Sequence, residues 1–343
     1  VRAAALREIV EPRITSEQPH RTALRHSMQH DRTTPAQIAA PIVLADAGME
    51  TSLIFDDGLD LPEFAAFVLL EQAEGRDALA RYYDRYVAAA SRLGVGVILD
   101  TPTWRANQDW GARLGYGPTH LERSNVLGVE LVLAARRRAA ATATTVVISG
   151  CVGPRGDGYQ PDDLMSAAEA QRYHAPQVRA LARSATDHVT ALTMTYPAEA
   201  IGIALAAREA QLPVVISFTV ETDGALPTGD SLGAAIDEVD RATGSYPAYY
   251  MVNCAHPTHF AHVLDPGSAW TRRIRGVRAN ASTLSHAELD EATELDAGDP
   301  VELAAHYVAL RELLPALKVV GGCCGTNHEH VAALGTALSA GGI

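Results

Sequence analysis

Near the end of the chain two cysteines stand side by side among glycines, in the run Gly321-Gly322-Cys323-Cys324-Gly325-Thr326. Adjacent cysteines between glycines suit a backbone that bends so that two thiolates face one ion. Thiolate is a soft ligand that selects Zn²⁺ among the common divalent metals. The only other cysteines are Cys151 and Cys254. Leu317-Lys318-Val319-Val320 reads as a short buried strand ahead of the pair, and Cys254 follows the β-prone run Ala248–Asn253. Thiolates from Cys254, Cys323 and Cys324 make a zinc site with one position open, the mark of a catalytic rather than a structural zinc. The plainer alternative is that vicinal cysteines pack as small hydrophobes. Cys151 either completes a four-cysteine site or is a small residue beside the pocket. His256, His259 and His262 follow Cys254 closely; His256 is expected in a supporting or loop position, with a ligand role as the alternative.

These residues need elements to bring them together. Short β-branched runs recur at Ile42–Asp46, Val95–Asp100, Thr145–Gly150, His188–Thr193, Pro213–Phe218, Ala248–Asn253, Ile274–Ala279 and Leu317–Val320. They are nearly continuously apolar, as parallel strands buried on both faces are. Amphipathic helical stretches separate most of them: Gly75–Leu93, Ser124–Ala140, Ser166–Ala185, Pro197–Ala210, Ser231–Thr243 and Pro300–Leu314. The pattern predicts an α/β protein, a (β/α)8 TIM barrel over 41–343, after an N-terminal extension over 1–40 that is expected to be flexible. A doubly wound sheet is the alternative. Polar residues and cysteines follow nearly every strand instead of gathering at one switch point, which favours the barrel. An active site at the C-terminal rim then collects Asp46, Asp100, Thr193, Asn253, Cys254, Asn280 and the cysteine pair. Strands six and eight are separated by one strand, so Cys254 and Cys323 converge across 69 positions of sequence.

The cysteine motif, with Asn253-Cys254 upstream and His328 and His330 downstream, resembles the zinc-dependent homocysteine S-methyltransferase family. Leu44-Ala45-Asp46-Ala47-Gly48-Met49-Glu50-Thr51 is similar to that family's first-strand motif, Ser149-Gly150-Cys151-Val152-Gly153-Pro154 to its third, and Arg278-Ala279-Asn280-Ala281 to its seventh. The resemblance spans about residues 41 to 335; its cysteine motif is specific, the others individually weak. It implies a zinc-activated thiol, homocysteine, that attacks a methyl group and becomes methionine. It also implies that Asp46 contacts the amino acid's ammonium, that backbone N–H groups around Gly48 and Met49 receive its carboxylate, and that Asn253 joins this thiol-binding set. Glu50 stands where many relatives have glycine and is expected to face the donor. Trp104, with Trp110, lines a cationic donor pocket through its π face or covers the rim as an apolar contact; Asn280 is placed with the donor. Two departures stand out. Ala47 replaces a glycine, and strand four reads Leu192-Thr193-Met194-Thr195 where relatives carry an ammonium-binding glutamate. Either Glu199 or Glu221 substitutes, or the contact is reduced to Asp46, which leaves the identity of the thiol open.

Composition sets the outer limits. The chain has 343 residues, 47% of them hydrophobic and 20% charged, with a net charge of −13. That describes a globular protein with ample core and argues against a nucleic-acid backbone or anionic membrane as partner. No run is long enough to span a membrane and four cysteines make no disulfide framework, so a reduced, cytoplasmic protein is expected, with a homo-oligomer left open among its partners. Gly150–Gly158 lacks the Lys-Ser/Thr pair of a phosphate loop, and Gly94-Val95-Gly96 is no dinucleotide fingerprint. The expected partners are a small thiol and a methyl donor: S-methylmethionine, S-adenosylmethionine, a betaine-like compound or a methylfolate. The alternatives are the same zinc chemistry on another thiol or selenol, and a non-catalytic zinc-binding barrel.

Overall fold

A computed structural model describes residues 40–292 and 294–340. The extension expected over 1–40 lies outside them except for Ala40. Eight parallel strands close into a barrel in sequence order: β1 (Val43–Ala45), β2 (Gly96–Asp100), β3 (Val146–Val152), β4 (His188–Met194), β5 (Val214–Phe218), β6 (Tyr249–Asn253), β7 (Ile274–Ala279) and β8 (Val319–Gly322). The ring is completed where β1 pairs with β8, Val43 opposite Val319, while its other edge pairs with β2.

Alternation along the strands divides the apolar residues between two layers. Val43, Ala45, Ile98, Val147, Leu192, Val215, Met251 and Val319 fill the barrel interior. Leu44, Val97, Ile148, Ala191, Ile216, Val252 and Val320 pack outward against the helices. Because both sides of each strand are covered, the runs read as continuously apolar.

The covering helices are α1 (Ala73–Leu93), α2 (Pro118–Ala139), α3 (Ala167–Ala182), α4 (Pro197–Glu209), α5 (Leu232–Thr243), the short α6 (Pro257–Phe260), α7 (Pro300–Leu313) and α8 (His328–Ala340). Their starts carry local signals. Ser166 and Glu169 form a reciprocal capping box, and the Asp299 carboxylate accepts from the amides of Val301 and Glu302. Proline opens α2, α4, α6 and α7, where its missing N–H costs nothing. The sixth crossover has a single turn instead of a full helix. Its room goes to short turns around His259 and Trp270. Two further short helices, Gln108–Arg113 and His286–Glu291, sit in loops after β2 and β7. No helix among the described residues is long and apolar enough to cross a membrane.

Candidate metal centre and substrate cavity

The cysteine pair sits in a tight turn directly after β8. The Thr326 hydroxyl and amide both donate to the Cys323 carbonyl, at 2.6 and 3.1 Å. Gly325 holds φ +77°, the left-handed conformation the turn needs. The turn is bound to its neighbours by Cys323 N–H to the Ala279 carbonyl at 2.8 Å and Ala281 N–H to the Cys324 carbonyl at 3.1 Å. From the other side Gly48 presses on it: a Cβ there would lie 2.5 Å from the Cys323 carbonyl oxygen.

Cys254 comes from the end of β6 in a left-handed conformation, φ 53°, a strained state for a residue with a Cβ. Its carbonyl accepts from Asn280 Nδ2 at 3.1 Å and lies 2.7 Å from His286 Nε2. Together Cys254, Cys323 and Cys324 bring their sulfurs within 4.8 Å of one another. Three thiolates at Zn–S distances of ~2.3 Å in tetrahedral array stand ~3.8 Å apart, so the cluster fits the metal with little adjustment. The sulfurs already compete for protons. Hydrogen bonds from Cys254 and Cys324 hold the Cys323 thiol well below its ordinary range, and the bond to Cys323 pushes Cys254 up. That electron-rich set is the donor type zinc takes. Cys151 is buried, lines the cavity nearby and is not one of the three clustered sulfurs. His256 caps α6, with its Nδ1 2.8 Å from the Thr258 hydroxyl, and does not line the cavity.

The cluster forms one wall of a cavity of about 350 Å³ at the C-terminal rim. Asp46, Gly48, Met49, Glu50, Trp104, Arg105, Leu192 and Thr193 also line it. Asn253 and Asn280 stand behind the wall. Asn253 Oδ1 accepts from the Ser217 hydroxyl at 2.6 Å and the Thr193 amide at 3.0 Å, while its Nδ2 reaches Thr193 Oγ1 at 2.9 Å and Cys323 Sγ at 3.9 Å. Thr193, at φ 63°, is thereby held in a conformation a β-branched residue rarely adopts.

Asp46 is buried and not free. Its Oδ1 lies 2.6 Å from Arg278 Nη2 and its Oδ2 accepts the Asp100 amide at 3.2 Å, while Arg278 Nη1 also binds the Asp100 carboxylate. Burial, opposed by Arg278 and reinforced by Asp100, pushes Asp46 above its ordinary range. The two acids considered as replacements on strand four's side are occupied elsewhere. Glu199 is buried against His174, at 2.8 Å, and accepts the Arg155 amide; Glu221 pairs with His286 at 3.0 Å. Neither lines the cavity. Glu50 does; it is half-buried, and removal from water pushes it up to about 7.

Trp104 faces the cavity, its indole N–H donating to the Leu192 carbonyl at 3.4 Å. Trp110 does not line it; its ring lies beneath Arg105, whose guanidinium carbon is 3.7 Å from the ring centroid.

Sequence reasoning missed Arg278, Arg105, Tyr159 and His286. Arg278 carried a partial signal, since alternation along β7 places it on the opposite face from Val277, which packs outward. Tyr159, whose hydroxyl is 3.6 Å from Cys324 Sγ and whose ring stacks on His286 at 3.9 Å, lies in a glycine-containing loop with no such pattern.

A family model described as homocysteine S-methyltransferase matches residues 43–338. Among solved structures, the metallated form of the Escherichia coli homocysteine methyltransferase MmuM superposes with a TM-score of 0.67 at 21% identity, covering 93% of this chain and 99% of that one. Its oxidized form gives 0.68 at 21% identity, covering 89% and 99%. No curated protein sequence matches this chain.

Proposed function

Since the chain belongs to the homocysteine S-methyltransferase family and is a methyltransferase, we propose that it moves a methyl group from a small cationic donor to homocysteine through a zinc centre formed by Cys254, Cys323 and Cys324. The observation that carries this reading is the convergence of three sulfurs on the wall of a cavity large enough for both substrates. The metallated form of MmuM supports a metal on this fold. Zinc at that place supplies Lewis acidity that lowers the pKa of a thiol brought to it.

The chain's own residues supply position and environment. Asn253 and Thr193 orient the sulfur cluster from behind, at Cys323 and Cys254. Leu192 and Trp104 keep water from the reacting sulfur, which sharpens every charge interaction there. The acids of the cavity outnumber its two arginines, and the Trp104 face stands among them; both favour a sulfonium or quaternary ammonium donor. In the reaction the acceptor sulfur gains the methyl and gives up its proton, while the donor leaves having lost one positive charge. Leu192 in place of an acid, with Asp46 committed to Arg278, favours a second reading in which the acceptor is a thiol other than homocysteine.

The test is incubation of zinc-loaded protein with homocysteine and each candidate donor, read by mass spectrometry. Methionine formed from a sulfonium or ammonium donor is the expected result. Absence of any methylated thiol across donors and acceptors would reject the reading, as would a closed four-sulfur metal shell in X-ray absorption.

A further inference from the structure

The cavity's charges are unevenly committed. Asp46 and Asp100 share Arg278. Asp157 accepts the amides of Tyr159 and Gln160, and Asp296 accepts from Ser282 and Gly298, both at the exposed rim. Asp290 and Glu294 also line the cavity but are exposed to solvent; Glu50 differs from all of these. It is half-buried on the cavity wall, and among the described residues its carboxylate bonds to nothing beyond its own backbone amide.

Arg105 is the matching cation. Its Nη1 donates to the Glu63 carbonyl and its plane rests on Trp110, so the guanidinium is held still. Its Nε is buried and has no partner. Glu50 and Arg105 sense each other's charge but form no ion pair, so a gap lies between an unpartnered carboxylate and an incompletely bonded guanidinium.

An unpaired acid and an unsatisfied arginine facing one small cavity match a zwitterion with charges a bond or two apart. Leaving such groups buried without partners is costly, and a ligand that satisfies both recovers that cost. We propose that Glu50 and Arg105 form a clamp for an α-amino-acid head group, Glu50 receiving the ammonium and Arg105 the carboxylate. The clamp rests on the methyltransferase reading above and sharpens it: specificity for an amino acid comes from these two residues, with Asp46 kept for Arg278. An α-amino-acid head is carried both by an amino-acid thiol acceptor and by an amino-acid sulfonium donor, so the chemistry is shared and the source is decided by experiment.

The experiment is calorimetric titration of zinc-loaded wild type, Glu50→Gln and Arg105→Met with homocysteine, with S-methylmethionine, and with 4-mercaptobutyrate, which lacks the ammonium. Each variant is expected to weaken binding of at least one amino acid by roughly ten- to a hundredfold, while Glu50→Gln leaves 4-mercaptobutyrate affinity as in wild type. Loss for homocysteine assigns the clamp to the acceptor; loss for S-methylmethionine assigns it to the donor. Unchanged affinity for both amino acids in both variants, or no binding of either to wild type, overturns the clamp. Methyl transfer by the wild type is scored separately. Turnover with an unaffected variant pair rejects the clamp alone. Absent turnover with a clear loss of amino-acid affinity rejects the methyltransferase reading alone.

Discussion

Nη2 of Arg278 lies 2.6 Å from Oδ1 of Asp46, both side chains buried, so the carboxylate at the first strand's end faces a cation supplied by the protein itself. Arg278 also serves Asp100, and it donates through Nε to the Gly322 carbonyl at 3.2 Å, next to the cysteine pair. Removing it leaves two buried carboxylates without a counter-charge. Arg278→Met is expected to cost about 3–5 kcal/mol in denaturant unfolding, the usual penalty for breaking a buried pair. Adding Asp46→Asn and Asp100→Asn should recover part of that loss. A single variant as stable as wild type would contradict the pairing.

The metal prediction separates the four cysteines. Cys254→Ser, Cys323→Ser and Cys324→Ser are each expected to lower bound zinc to well under one ion per chain in elemental analysis. Cys151→Ser should keep wild-type content, since its sulfur stands outside the cluster. Full zinc in all three of the first variants would remove the site.

Gly48 gives a steric prediction. Its φ is −65°, so alanine is conformationally permitted, yet an added Cβ would sit 2.5 Å from the Cys323 carbonyl and 2.4 Å from Thr51 Oγ1. Gly48→Ala is expected to destabilise the fold by about 1–3 kcal/mol through overpacking and to weaken zinc retention against a chelator. Unchanged retention would show that the turn yields without disturbing its sulfurs.

The pH prediction follows from Glu50. Its folded value near 7 lies above the ordinary 4.5, because burial disfavours the charged form. The folded state therefore binds the proton more tightly. The stability this contributes is full below about 4.5 and is lost as pH rises through 7. Glu50→Gln should melt close to wild type at acid pH and above it at pH ~8, by about 1–2 kcal/mol after allowance for solvent screening. A difference constant across that range, at equal metal content, would refute it.

The barrel was readable because each strand is buried on both faces, so Val146–Val152 or Val214–Phe218 announces itself as an apolar run. β8 extends through Gly321 and Gly322, beyond the expected end at Val320, because glycine reads as a turn even where the ladder to β7 continues. Helix α8 carries a local signal as well: Val331, Leu334 and Leu338 repeat at helical spacing and are all buried. The sulfur cluster was legible from residue type and strand-end position. The Arg278–Asp46 pairing was not, because 232 positions separate the partners and local pattern carries no information about which rim charges meet. For the same reason sequence alone leaves Asp46 a candidate for substrate and places Glu50 on the donor side, since which acids already have partners is not written in local pattern.

The seam between β1 and β8 sets an order in time. Val43 pairs with Val319, so about 280 residues must leave the ribosome between the making of one edge and the arrival of the strand that covers it. At ordinary elongation rates that interval is ~14–55 s. Cys323 and Cys324 follow β8 immediately and come into being only as the ring becomes able to close. The nascent chain therefore has no complete thiol set with which to capture a metal before β8 has been made.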